Sequence, residues 1–166
     1  MGSGSTHLEG EYQPAVQHGL EFLLGRQDSE GSLAGDAAMF AKMYCHAMAT
    51  VAVGEAYALT RDERLRGGVE NALEYTLKSQ DRSTGGGRYQ PGDAGDMSQF
   101  GWQVLALQSV QQAGMTVPRP TVNLMKKFLR SCNTGSQGGL ASYRPGFGAT
   151  HAMTAESIAC RIWLNS

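Results

Sequence analysis

Apolar and polar positions along this chain fall into six helical segments of two kinds. Three segments carry a single apolar stripe at helical spacing, whereas the three between them are apolar on nearly every side. The first kind is typical of surface helices and the second of buried helices. The pattern predicts helices over residues 15–27, 37–59, 65–80, 97–114, 120–132 and 150–164.

Turn and capping residues separate these segments. We expect Pro14 to begin the first helix, because proline is favoured in the first helical turn. Asp36 is predicted to cap the second helix, and Asp96 or Ser98 the fourth, since their side-chain oxygens can accept from exposed backbone N–H groups. A long glycine-rich loop over residues 135–148 precedes the last helix.

The most informative sequence feature is an internal repeat of 53 residues. Three aromatic residues recur at this spacing, namely Phe22, Tyr75 and Phe128. Three residues with amide side chains do the same, namely Gln27, Gln80 and Asn133. Similarity at a fixed period is typical of repeat proteins, whose units bury apolar faces against their neighbours. We expect one domain over residues 12–166, with repeats at about 12–60, 65–114 and 119–165.

The alternation predicts an all-α fold in which six helices form three hairpins. We expect the amphipathic helices to form an outer layer and the apolar helices an inner layer, curved into an α/α toroid or an open arc of one. The residues expected in the inner-layer core are Leu107, Val104, Met48, Val51, Ala155 and Ile158. Those expected in solvent are Glu74, Lys78, Lys126 and Lys127.

Composition narrows the classes of partner. Lys and Arg number 14 and Asp and Glu 15, without a basic stripe, so we expect no nucleic-acid partner. No apolar run approaches the roughly 20 residues that span a bilayer, so no transmembrane segment is predicted in this chain. Cys45, Cys132 and Cys160 form no CxxC motif and are predicted to be reduced thiols. Residues 1–11 are predicted to be an added leader or a disordered segment.

The repeats resemble the prenyltransferase/squalene oxidase repeats of the terpenoid cyclase and protein prenyltransferase superfamily. That repeat has an aromatic-aliphatic helix end, a Gln and a Gly-x-Trp motif. The second copy here has Ala72-Leu73-Glu74-Tyr75-Thr76-Leu77, then Gln80, then Gly87-Arg88-Tyr89, with Tyr89 in place of the Trp. Segments 89–93, 96–107 and 148–156 further resemble uncharacterised repeat proteins of planctomycete-type bacteria. The resemblance covers roughly residues 15–165 and implies an α/α toroid.

The superfamily's cyclases suggest one chemistry to look for. They protonate an alkene with an Asp-x-Asp-Asp motif, and a base so weak needs a strong, preorganised acid. Asp93-Ala94-Gly95-Asp96 has a different spacing and lacks the third carboxylate. We interpret Asp93 as a turn residue and Asp96 as a helix cap, and predict no catalytic residue.

The superfamily's prenyltransferases suggest zinc. Cys45, His46, Asp96 and His151 are zinc-ligand types that lie near the predicted starts of inner helices. Cys45 and His46 are adjacent, however, and neighbouring side chains on a helix point about 100° apart. We therefore expect no stoichiometric zinc and no other cofactor.

A binding surface is the remaining interpretation. The tripeptide His-Ala-Met occurs at residues 46–48 and at 151–153, which reflects either repeat ancestry or a polar ring at the mouth of a concave surface. Glu156 lies on an otherwise apolar helix and would need a partner such as a His or Arg161 if buried. The candidate ligand-binding residues are His46, Asp96, Trp102, His151 and Glu156.

These observations favour a non-catalytic module that presents a concave inner-helix surface to a peptide, glycan or lipid ligand. The alternative is a fragment of a terpene-cyclase-like or prenyltransferase-like enzyme that acts on an isoprenoid or lipid. A toroid of the superfamily usually takes five to seven hairpins, and three are predicted here. We therefore expect either a homodimer that pairs apolar ends near Ile162 and Trp163 or a covalently attached neighbour domain.

Overall fold

The computed structural model of the chain describes residues 2–165. In this range the helices are α1 (Gln13–Gly25), α2 (Lys42–Thr60), α3 (Glu63–Ser79), α4 (Met97–Gln112), α5 (Arg119–Ser131) and α6 (His151–Leu164). A two-residue strand, β1 (Asn133–Thr134), pairs antiparallel with β2 (Leu140–Ala141), and this is the only sheet in the described part of the chain. The predicted all-α class is confirmed.

The helices form two layers. Helix α4 packs between α2 and α6, so the three apolar helices lie side by side. Helix α3 packs on both α2 and α4, while α1 packs on α2 and α5 on α6. Residues Gln103, Val104, Ala106 and Leu107 are buried along α4, as expected for the central helix of the row. Within residues 2–165, no helix is both long enough and apolar enough to cross a membrane.

Side-chain caps begin three of the helices. Asp96 accepts from the backbone N–H of Gln99 at 2.9 Å at the start of α4, which confirms one of the two predicted caps. Thr150 accepts from Met153 N at 3.2 Å at the start of α6. Asp62 accepts from Arg64 N at 3.0 Å and begins α3 two residues before the predicted start. Each contact pairs a backbone N–H that the helix itself leaves without a partner.

Helix α2 departs from the prediction. It begins at Lys42 instead of residue 37, and its N-cap residue, Ala41, provides no side-chain hydrogen bond. The predicted cap, Asp36, instead pairs with Arg26 across the loop. The apolar residues before Lys42 extended the helical pattern, but Met39 and Phe40 are 75% and 70% exposed, so packing does not hold them in a helix.

The predicted core is right on one side of the inner layer and wrong on the other. Leu107 and Val104 are buried, as predicted. Met48, Ala155 and Ile158 are exposed, and Val51 is only half-buried. The prediction assumed that the inner helices pack on both sides, whereas the outer helices cover only one side of them. Glu74, Lys78 and Lys127 are exposed as predicted, and Lys126 is half-buried with Nζ donating to Asn165 O at 2.9 Å.

The 53-residue period reappears as a repeated hydrogen-bond pattern. Gln27 Nε2 donates to Gly31 O in its own loop at 3.1 Å and to Gly68 O of α3 at 2.9 Å. One period later, Gln80 Nε2 donates to Gly85 O at 3.1 Å and to Thr121 O of α5 at 3.2 Å. Each amide therefore joins its own repeat to the outer helix of the next one.

The segment before α1 packs onto the helical layers. Ser5 and His7 are buried, and His7 Nε2 lies 2.9 Å from Oδ2 of Asp62, the residue that caps α3. Whether residues 1–11 are an added leader or a disordered segment stays a prediction.

Candidate ligand groove

His46 lies in the core and not on a ligand surface. Its side chain is fully buried, with Nδ1 accepting from Leu33 N at 3.1 Å and Nε2 lying 2.9 Å from Thr76 Oγ1. The Thr76 hydroxyl donates to Ala72 O, so we assign the proton to Nε2 of His46. Burial lowers the pKa of His46 to about 4, which keeps the ring neutral. The prediction that His46 contacts a ligand is corrected, because both ring nitrogens hold the fold together.

Asp96 is also fully buried, and the folded chain occupies its carboxylate. Oδ1 accepts from Gln99 N at 2.9 Å and from Ser98 Oγ at 3.0 Å. Oδ2 accepts from Arg88 Nε at 2.9 Å and from the Tyr143 hydroxyl at 2.7 Å. A carboxylate has about four acceptor positions, so four donors leave none for a ligand. Asp96 therefore fastens the loops before α4 and α6 to the start of α4.

His151 is the first residue of α6 and is exposed. Within residues 2–165, no group of three or more His, Cys, Asp or Glu side chains is arranged to hold a metal ion. Of the four zinc-ligand types singled out from the sequence, His46 and Asp96 already use their ligating atoms in hydrogen bonds.

Glu156 and Trp102 lie together in a groove between α4 and α6. The groove has a volume of about 230 Å³, and its lining residues are Gly101, Trp102, Leu105, Glu156, Ala159 and Trp163. Trp102 and Trp163 are the only two tryptophans of the chain. We call this surface the α4–α6 groove. Of the five candidate ligand-binding residues, Trp102 and Glu156 line this groove.

A glycine makes room for the carboxyl group of Glu156. A Cβ atom added to Gly101 would lie 1.9 Å from Glu156 Oε1, so only glycine lets this carboxyl approach the backbone of α4 so closely. The approach brings the acidic group in from α6 across the helix interface. The Glu156 carboxyl therefore occupies the space that a side chain at position 101 would fill.

The environment of Glu156 raises its pKa to about 7, first through burial and second through the negative charge of Asp96. Arg161, the partner expected from the sequence, donates instead to Asn133 Oδ1 at 2.7 Å and to Gly138 O at 3.2 Å. Among residues 2–165, no side chain or backbone group pairs with the Glu156 carboxyl. A half-buried carboxyl that titrates near neutrality therefore faces an aromatic groove.

Two residues that line this groove, Trp163 and Gly101, are not among the candidate ligand-binding residues predicted from the sequence, which places Trp163 in an end-to-end contact instead. Trp163 is half-buried and packs against the chain's own core, while Ile162 beside it is 68% exposed. A glycine in the interior of an otherwise apolar helix is a recognisable signal of close approach. Gly101 could thus have been found from the sequence, but its partner could not.

No protein-family model matches this chain, and neither the curated proteins nor the solved structures provide a match.

Proposed function

We propose that this domain is a non-catalytic binding module whose α4–α6 groove takes a cationic group carried on an apolar body. A lysine or arginine side chain of a peptide has this chemistry. The single observation that carries the proposal is the Glu156 carboxyl, which lies half-buried and, among residues 2–165, without a partner in the groove that both tryptophans line.

The lining chemistry supports a cation in particular. An ammonium or guanidinium group would pair with ionised Glu156. This ion pair would replace part of the hydration that the carboxylate loses on burial. Trp102 and Trp163 would attract the same cation through their ring faces, an interaction of about 0.5–2 kcal/mol each. Leu105 and Ala159 would contact the aliphatic part of the ligand.

The wider surface supports an extended apolar ligand. Helices α2 and α6 each leave apolar residues uncovered, and the exposed large residues are Met48 and Leu59 on α2 and Ile158 and Ile162 on α6. An uncovered inner layer is what the concave face of an open α/α arc would present. The likeness to prenyltransferase/squalene oxidase repeats stays part of this proposal, supported by the hydrogen bonds that recur with the 53-residue period.

Binding of a cation requires the ionised form of Glu156, so the proposal predicts a pH dependence. With a pKa of about 7, the ionised fraction falls about 30-fold between pH 8 and pH 5.5. Affinity for a cation should therefore be high at pH 8 and fall as the pH drops through 7. Affinity for a neutral ligand of the same shape should not change in this way.

Tryptophan fluorescence tests the proposal directly, because both tryptophans line the groove. At pH 8, N-butylguanidinium should change the tryptophan emission saturably. Its affinity should be about 30-fold lower at pH 5.5. Neutral N-butylurea should bind weakly at both pH values. Glu156→Gln should abolish the preference for the cation. Glu11→Gln, the same chemical change at an exposed residue before α1, should have no effect. Equal binding of both probes, or an unchanged preference in Glu156→Gln, would contradict the proposal.

A further inference from the structure

The geometry points to head-to-tail self-association, in which α1 of a second copy docks on the third repeat of the first. This association does not involve the α4–α6 groove. It is inferred from the contacts between each repeat and the outer helix of the next one, which occur at two places in the described chain and are missing at the third repeat. In the described chain, the first repeat receives the outer helix of the second, and the second receives that of the third. The third repeat presents the same receiving surface to solvent.

The aromatic residue of each outer helix shows this relation. Tyr75 packs on His46 of the preceding repeat, with ring centroids 4.7 Å apart. Phe128 packs in the same way on Phe100, at 4.9 Å. Phe22 holds the corresponding position in α1, and it is 61% exposed, whereas Tyr75 and Phe128 are buried. Phe22 is thus the one of these three aromatics that packs on no repeat within the described residues 2–165.

In the second repeat the receiving pocket is built from glycines. A Cβ atom on Gly86 would lie 2.8 Å from the Phe128 ring, and one on Gly95 would lie 2.6 Å from it, so both positions must lack a side chain. One period later the chain again has glycine at both positions, Gly139 and Gly148. A Cβ atom at either of these would meet nothing within 4 Å. The third repeat therefore keeps the pocket but holds no aromatic ring in it.

Close backbone approaches to the next outer helix also recur, at glycines that lie 54 residues apart in the first two repeats. Gly31, at a φ of 94°, and Gly85, at a φ of 83°, each approach a carbonyl of the next outer helix so closely that a Cβ would lie 2.3 Å and 2.1 Å from the oxygens of Asn71 and Leu124. Gly138 follows Gly85 by one period, has a φ of 63°, and meets nothing within 4 Å. A backbone conformation that favours glycine is thus retained where no helix lies against it.

The amide contact completes the pattern. Gln27 and Gln80 each donate to a carbonyl of the next outer helix, at Gly68 and Thr121. Asn133 is their equivalent in the third repeat, and its Oδ1 is held by Arg161 at 2.7 Å. That contact orients the Asn133 side chain while leaving its NH₂ group available as a donor. By the same period, its acceptor in a docked α1 would be the carbonyl of Ala15.

The occupant that fits these positions is the α1 end of this same chain. It carries Phe22 at the register that the glycine pocket requires, and its outer residues Ala15 and Gly19 are small and exposed. The contact joins two different surfaces, so each copy has one of each kind. Such a heterologous contact produces a closed ring when the rotation per copy permits and an open chain of copies otherwise.

Mixing two variants tests this arrangement. Phe22→Glu blocks only the α1 end, and Gly148→Glu blocks only the receiving pocket, at a glycine whose Cβ direction is open. By light scattering at high micromolar concentration, the unmodified chain should have a mass of at least two copies. Each variant alone should be a 17.8 kDa monomer, and their equimolar mixture should form a heterodimer through the remaining intact pair of surfaces.

Gly67→Glu provides the matched control, because Gly67 is an exposed glycine of α3 with nothing within 4 Å of an added Cβ. It should associate like the unmodified chain. A monomeric unmodified chain would overturn the inference and leave the receiving surface to another occupant, such as a further hairpin. Association that survives both single variants, or a mixture that stays monomeric while the unmodified chain associates, would also overturn it.

Discussion

Burial shifts the pKa values of His46 and Glu156, but the two residues have different roles. It lowers the pKa of His46 to about 4 and raises the pKa of Glu156 to about 7, and in both cases it favours the neutral form. The two differ in their partners. Hydrogen bonds occupy both ring nitrogens of His46, whereas the Glu156 carboxyl faces the α4–α6 groove. The same physical effect therefore produces a structural residue in one place and a candidate binding group in the other.

The neutral His46 predicts a loss of stability in mild acid. Its folded-state pKa of about 4 lies below the value of 6.5 for an unperturbed histidine. The unfolded chain therefore binds a proton that the folded chain rejects between these values, and stability falls as the pH drops from 6.5 toward 4. Between pH 7 and pH 5 this single group should cost about 2 kcal/mol of unfolding free energy.

Urea unfolding of two histidine variants checks this prediction. His46→Gln should be less stable than the unmodified chain at pH 7 but should lose about 2 kcal/mol less on going to pH 5. His18→Gln, a change at an exposed histidine of α1, should keep the full pH dependence. If His46→Gln and the unmodified chain lose the same free energy between the two pH values, His46 is not the buried neutral group described above.

At the scale of helices, the apolar pattern alone identified six elements but could not tell where an apolar run leaves the helix. Residues 37–41 continue the pattern of α2, yet Met39 and Phe40 are largely exposed, and the helix begins at Lys42. The pattern also could not show that the inner helices are covered on one side only. Met48 and Ile158 are apolar and helical, and only tertiary packing determines that they are 43% and 51% exposed.

The site was accessible to sequence reasoning in part. The sequence predicts Trp102 and Glu156 as candidates, because they would join His46 and His151 in a polar ring at the mouth of a concave surface. Their proximity depends on how α6 packs on α4, and the missing side chain of Gly101 admits the Glu156 carboxyl. The 53-residue period relates equivalent positions, but it does not specify which positions of neighbouring helices touch.

The one-sided packing of the inner layer predicts different costs for two truncations of large aliphatic residues. Leu107→Ala on α4 should lower the unfolding free energy by about 2–5 kcal/mol, because it leaves a cavity in the core. Ile158→Ala on α6 should cost less than about 1 kcal/mol, because half of that side chain is already in water. Chemical denaturation measures both. Equal costs would mean that α4 and α6 are covered alike.

At the scale of the whole molecule, the contacts between neighbouring repeats follow one pattern. Its two internal repeat contacts use the same aromatic and amide positions, and Phe22 and the glycines of the third repeat lie at corresponding positions without such a contact in the described chain. The α4–α6 groove lies between the second and third hairpins and is formed entirely within one copy. Ligand binding and self-association are therefore separable, and Gly148→Glu should leave the groove intact.

The proposed function depends on the binding of a cation by the Glu156 carboxyl in the α4–α6 groove. Its most direct test is carbon-13 NMR of the glutamate carboxyls, with the Glu156 signal assigned from Glu156→Gln. In the free protein Glu156 should titrate near pH 7, and saturating N-butylguanidinium should move its pKa downward, because a bound cation favours the ionised form. A Glu156 carboxyl that titrates near 4.5 in the free protein, or whose pKa the cation leaves unchanged, would contradict the account.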